Sequence, residues 1–239
     1  MAEPVKLQSS NRIWIAAIAA IVVVAVAVLT AISVTGGDEK SSAGTNLAGV
    51  DDATAPFKDI PQSGLEIGKA DAPVTIVEYV DLQCPFCRDA ATSTVPTVVS
   101  QFVKTGQAKL KLQPLGFIGV DINDDSKRGA LAVIAAGEQG RAGEFAEILF
   151  RNQGDEGTGW LTDALIKDVA GATNLDTGKL DDARSSDEVK ATFDQIAKSA
   201  QTDNAQSTPT FIVKGAKGQV TIQNHRNIAE FTQAIAKVK

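Results

Sequence analysis

Cys84-Pro85-Phe86-Cys87 holds the two cysteines of this 239-residue chain. Two thiols at that spacing, placed across the start of a helix, can exchange electrons with other sulfurs. The first sulfur meets the unpaired N–H groups and the positive dipole end of the helix, and both favour its thiolate. The thiolate attacks a disulfide and forms a mixed disulfide, which a second thiol one turn later resolves. Cys84 is therefore the candidate nucleophile and is expected to be exposed. Cys87 is the candidate resolving thiol, one turn inside. A structural disulfide is the competing reading. So short a loop would stabilise the fold by only about 2 kcal/mol, against about 4.7 for a 100-residue loop.

Three other positions bear on this chemistry. Glu78 shares one face of a strand with Val74, Ile76 and Val80. A carboxyl on so apolar a face is desolvated and its pKa should rise, which makes it a candidate proton acceptor for the thiols. Thr208-Pro209 precedes an apolar run, where a proline either opens an edge strand or marks a cis bond. Asp81 reads as a solvated acid before a helix, and His225 as a solvated loop residue. One histidine and two cysteines cannot assemble an ordinary zinc site, so no metal is expected. The net charge of -6 argues against nucleic acid as a partner.

The elements that would position these groups follow from apolar periodicity. Val74 to Val80 reads as a central strand buried on both faces. Pro85 suits the first turn of the next helix, which runs through Ala90, Ala91 and Val95. Pro96 should kink or break it, with Val98 to Val103 resuming. Lys109 to Leu112 alternates as a half-exposed strand. Helical stripes follow at Leu131, Ile134 and Ala135, then at Phe145, Ile148 and Leu149. Another spans Leu165 to Val169 behind a Thr162 cap, and a fourth runs from Val189 to Ala200. Strands return at Phe211 to Val213 and Val220 to Ile222. Asn227 with Glu230 resembles a capping box for a last helix carrying Phe231, Ile235 and Val238. The order predicts an α/β layer fold with a helical insertion over about 126–203.

The N-terminal region predicts export. Residues 13–35 are nearly all apolar and uncharged, long enough for one membrane span. Lys6 and Arg12 precede the span and Asp38 and Glu39 follow it, so residues 1–12 should be cytoplasmic and the rest outside. A cleaved signal peptide is the alternative; its apolar region is usually shorter. Residues 36–56 read as a flexible tether and 57–239 as the domain.

Along Ile67 to Lys237 the sequence resembles the DsbA-like disulfide oxidoreductases of the thioredoxin-fold superfamily. The matching segments are Ala72 to Tyr79, Asp81 to Arg88, Ala135 to Gly140 with Phe145 and Leu149-Phe150, and Thr208 to Phe211. The resemblance implies a thioredoxin-like fold in which Cys84 attacks and Cys87 resolves. Glu78 matches the family's buried acid beneath the disulfide. Thr208 and Pro209 match its cis-proline loop, which lies against the cysteines and pairs with an extended substrate. Pro85 and Phe86 complete the implied substrate-binding set. The redox-active disulfide is the only cofactor implied. The partners implied are exported proteins with thiols or disulfides and a membrane protein that recycles the site; a monomer is expected.

Two departures matter. Phe86 stands where the strong oxidants of the family carry histidine, and Ser207 where glycine is frequent. Phe86 brings neither charge nor donor, so a potential between about -270 mV (thioredoxin) and about -120 mV (DsbA) is expected. A dithiol oxidase is the leading reading. A reductase is the second, although reductases of the cytochrome-maturation type carry tryptophan where Gln83 stands. An isomerase fits less well, because those resemble dimers on a separate N-terminal domain. The non-enzyme alternative is an anchored binding module with an inert disulfide.

Overall fold

A computed structural model describes residues 46–119 and 123–239. The predicted anchor at 13–35 and residues 36–45 of the tether lie outside the described residues. Among the described residues no helix is long and apolar enough to cross a membrane.

Strand β3 (Thr75–Asp81) forms because five of its seven residues are β-branched, aromatic or apolar, and it is buried along most of its length. Helix α2 (Pro85–Val98) follows, with Cys84 as N-cap and Pro85 in its first turn. It crosses over to β4 (Lys109–Leu115), which pairs parallel with β3. After β3 and β4 the chain inserts five helices: α3 (Asp125–Glu138), α4 (Ala142–Arg151), α5 (Asp163–Ala172), α6 (Thr177–Ser185) and α7 (Asp187–Thr202). Strand β5 (Thr210–Gly215) then returns antiparallel on the free side of β3, and β6 (Gly218–Thr221) pairs with it. With the short β1 (Gln62–Ser63) and β2 (Glu66–Ile67), the sheet order is β1-β2-β4-β3-β5-β6. Helix α8 (Ile228–Val238) closes the chain.

Two apolar cores result. One joins Val77, Tyr79 and Leu112 to the inserted helices. The other joins Ile76, Val95, Phe102 and Phe211 to Phe231 and Ile235 of α8. The insertion is pinned to the sheet by polar contacts as well: the Tyr79 hydroxyl donates to Asp203 at 2.7 Å, and Lys214 pairs with Asp203 at 2.6 Å.

Several expectations need correction. Helix α2 runs through Pro96 and only then loosens into a wide π turn at Val99–Val103. Val95, Val98, Val99 and Phe102 are all buried. At about 1.5–3 kcal/mol for each buried side chain, their packing exceeds the roughly 3 kcal/mol penalty of an interior proline. The Asn227 cap forms, its side chain accepting from the Ala229 N–H. Glu230 does not complete the box; its carboxylate accepts from the N–H groups of Gln223 and Asn224 instead. Folded structure also begins before residue 57. Helix α1 (Val50–Thr54) and the turn Ala55–Phe57 pack against the domain, with Ala53 and Phe57 buried. Ala48 exchanges two hydrogen bonds with the side chain of Asn152.

Candidate active site

The β3-to-α2 junction carries both thiols. Cys84 has extended backbone (φ -73°, ψ 118°) and its carbonyl accepts from the N–H groups of Cys87 and Arg88, so the sulfur sits at the helix start. Both cysteines are free thiols and both are buried. The expectation of an exposed Cys84 is corrected: its residue is 5% exposed, because the loop before β5 lies over it. In that loop the Thr208–Pro209 peptide is cis. The Cys84 thiol donates to the Thr208 carbonyl at 3.3 Å. Cys87 is wholly buried and its sulfur accepts from the Asp81 N–H at 3.5 Å.

The two sulfurs are driven apart in acidity. Cys84 is lowered to about 6, first by a hydrogen bond from the Cys87 thiol, then by the Thr208 side chain and the N–H groups of Cys87 and Phe86, against opposing burial. Cys87 is raised well above its ordinary value by burial and by its bond to Cys84. One sulfur is thus a ready nucleophile and the other a thiol that needs a base.

Glu78 occupies the seam between the two cores. It is buried, and burial raises its carboxyl from 4.5 to about 8. Among the described residues, no hydrogen bond joins it to either sulfur. It lies three residues before Asp81 on β3 and lines a small cavity with Val95 of α2 and Glu147 of α4.

Asp81 and His225 are corrected. Asp81 is fully buried, not solvated. Its carboxylate accepts from Ser126 Oγ and from the N–H groups of Gln83 at 3.0 Å and of Phe117 and Ile118 at 3.1 Å each. Four donors satisfy the charge, which makes its burial tolerable. His225 is half-buried and stacks on Phe211 with centroids 6.2 Å apart, beside an Asp89–Arg226 pair at 2.8 Å.

Sequence reasoning missed the glutamine braces. Gln83 donates to the Ile118 carbonyl at 3.0 Å and accepts from the Gly157 N–H at 2.7 Å. Gln153 donates to the carbonyls of Leu82 at 2.6 Å and Cys84 at 3.1 Å. Both lock the cysteine turn to the insertion. Gln83 was adjacent to the motif and could have been noticed; Gln153 carries no local signal. Phe86 and Phe117, 63% and 47% exposed, are the large apolar side chains left open among the described residues. Phe86 lies in the first turn of α2 beside the cysteines, and Phe117 follows β4, where its N–H bonds Asp81.

A cysteine of lowered pKa at a helix start, a second and wholly buried thiol and a cis-proline loop on a thioredoxin-like sheet are the features of a thiol–disulfide oxidoreductase of DsbA-like architecture. The chain belongs to the thioredoxin family, whose model matches residues 62–237. It is 28% identical over 177 residues to disulfide bond formation protein D of Bacillus subtilis, covering 72% of this chain and 75% of that protein. The crystal structure of oxidised BdbD from Bacillus subtilis superposes with a TM-score of 0.62 at 27% identity, over 74% of this chain and 97% of that one. Chlamydia trachomatis DsbA shares the fold, with a TM-score of 0.60 at 21% identity over 72% of this chain and 89% of that one.

Proposed function

We propose that this enzyme forms disulfides in exported proteins, working outside the cytoplasm from an N-terminal membrane anchor. The observation that carries this reading is the split between the sulfurs: Cys84 is lowered to about 6 while Cys87 is held up as a thiol. Stabilising the reduced form in this way makes a dithiol pair oxidising. The apolar run at 13–35 and its flanking charges support the location and orientation.

In the working direction the oxidised pair meets a substrate thiolate, which attacks Cys84 Sγ. The Cys84–Cys87 bond breaks, and Cys87 leaves with the electron pair. Its thiolate is buried, so it takes a proton from Glu78, which is protonated at neutral pH. The substrate peptide lies extended along Thr208, whose backbone can pair with it. Phe86 offers an apolar contact. A second substrate thiolate then attacks the substrate sulfur of the mixed disulfide and forms the product disulfide. Cys84 leaves as a stable thiolate without needing a proton. Two electrons now rest on the dithiol, and a membrane partner removes them. In that step Cys87 returns its proton to the Glu78 carboxylate.

The test is oxidative refolding of reduced, unfolded ribonuclease A by the oxidised protein. Activity should appear and should vanish in Cys84→Ser. A protein that reduces insulin disulfides but restores no ribonuclease would overturn the oxidase reading in favour of a reductase. Inertness toward both would favour a binding module.

A further inference from the structure

Glu147 takes no part in the cysteine motif, yet it is the other acid facing Glu78. It lies on α4, within the helical insertion, and is buried. The two carboxyls line one cavity of about 10 Å³, enough for at most one water molecule. The remaining walls are apolar, among them Phe57, Ile67, Leu110 and Phe150. Glu147 Oε2 is buried with no hydrogen-bond partner of its own. Arg151, one turn further along α4, is the other charge that acts on it, and the Arg151 Nε is itself buried without a hydrogen-bond partner. Burial and the neighbouring Glu78 both oppose its ionisation and push its carboxyl well above the ordinary value. A protonated carboxyl has an O–H to donate, and the polar group facing it across the cavity is Glu78.

We propose that Glu147 is a positioning residue for the redox site: when Glu78 ionises, the Glu147 O–H turns to donate to that carboxylate across the shared cavity and stabilises it while it waits for the Cys87 proton. This rests on the reading of Glu78 as the proton partner of Cys87. The balance is simple. When the dithiol is reoxidised, Cys84 is in a mixed disulfide and Cys87 holds a proton. Glu78 takes that proton, Cys87 Sγ attacks Cys84 Sγ, and the leaving thiolate departs. Glu147 keeps its own proton throughout. The helical insertion thereby contributes to a step whose sulfurs lie wholly on the thioredoxin-like part.

The experiment follows closure of the disulfide in full-length reduced protein mixed with saturating oxidised glutathione, as a function of pH, together with ¹³C NMR titration of the Glu78 carboxyl. Glu147→Leu fills the cavity but removes the donor. Its closure profile and its Glu78 titration should both move to higher pH, by about one pH unit, slowing closure at neutral pH about tenfold. Glu147→Gln retains an N–H donor, so its midpoint should fall between those of Glu147→Leu and wild type, nearer wild type. Unmoved midpoints in Glu147→Leu, or equal shifts in both variants, would overturn the inference. Glu78→Leu separates the two readings. If it closes with the wild-type profile, Glu78 itself has no role; if its profile changes while that of Glu147→Leu does not, only the role of Glu147 fails.

Discussion

Replacing Glu78 by Leu should raise the stability of the reduced domain at neutral pH and flatten its pH dependence. The folded protein holds Glu78 protonated up to about 8, while the unfolded chain ionises it above 4.5. Between those values the folded state binds one more proton than the unfolded state. Stability therefore falls as pH rises, by about 1.4 kcal/mol per pH unit. From about pH 5 to about pH 7 the wild type should lose roughly 3 kcal/mol through this group, and Glu78→Leu should not. Burial raises Glu147 too, and it adds its own pH dependence to both proteins, so the difference between them isolates Glu78. Leu suits the site sterically, since Val95, Leu110 and Leu112 surround it. Urea unfolding of both proteins across the window, with cysteines reduced, measures the difference directly. Parallel stability curves would mean that Glu78 ionises in the folded state as it does in water, and the argument from burial would be refuted. The expected price of the gain is slower disulfide closure, since Cys87 loses its proton acceptor.

The thiols should be unequal in trapping: Cys87→Ser should accumulate mixed disulfides with substrates on denaturing gels, and Cys84→Ser few, with equal trapping contradicting the assignment. Glutathione equilibration should place the potential between about -270 mV and about -120 mV, and Phe86→His should make it more oxidising; an unchanged potential would refute the argument from the dipeptide. Gly129→Ala would set its Cβ 2.7 Å from Leu161 Cδ1 and 3.0 Å from Leu82 Cβ. It should lose about 1–3 kcal/mol in denaturant unfolding and alter Cys84 reactivity, because Leu82 belongs to the cysteine turn. Protease added to spheroplasts should digest the domain, and full protection would refute the outward orientation.

Local pattern was enough to expose the chemistry and the layer order. The spacing of Cys84 and Cys87 at a strand-to-helix junction is a feature of consecutive residues, as is the apolar alternation that makes Glu78 anomalous. The end of β3, the N-terminus of α2 and the cap at Thr162 are likewise set within a turn of chain, so their signals survive in sequence. Contacts across long separations decided the rest. Asp81 reads as solvated until the loop at Phe117 and Ile118 and the helix carrying Ser126 bring three donors to it, beside the local Gln83 N–H. Pro96 reads as a breaker until the sheet supplies burial that local propensity cannot see. Cys84 reads as exposed until the Thr208 loop, 124 residues away, closes over it. Gln153 and Glu147 have no signal at all, because their roles exist only where the insertion meets β3 and the cysteine turn. An acid on a helix gains a partner only when folding removes the water between them, and that event belongs to the tertiary structure alone.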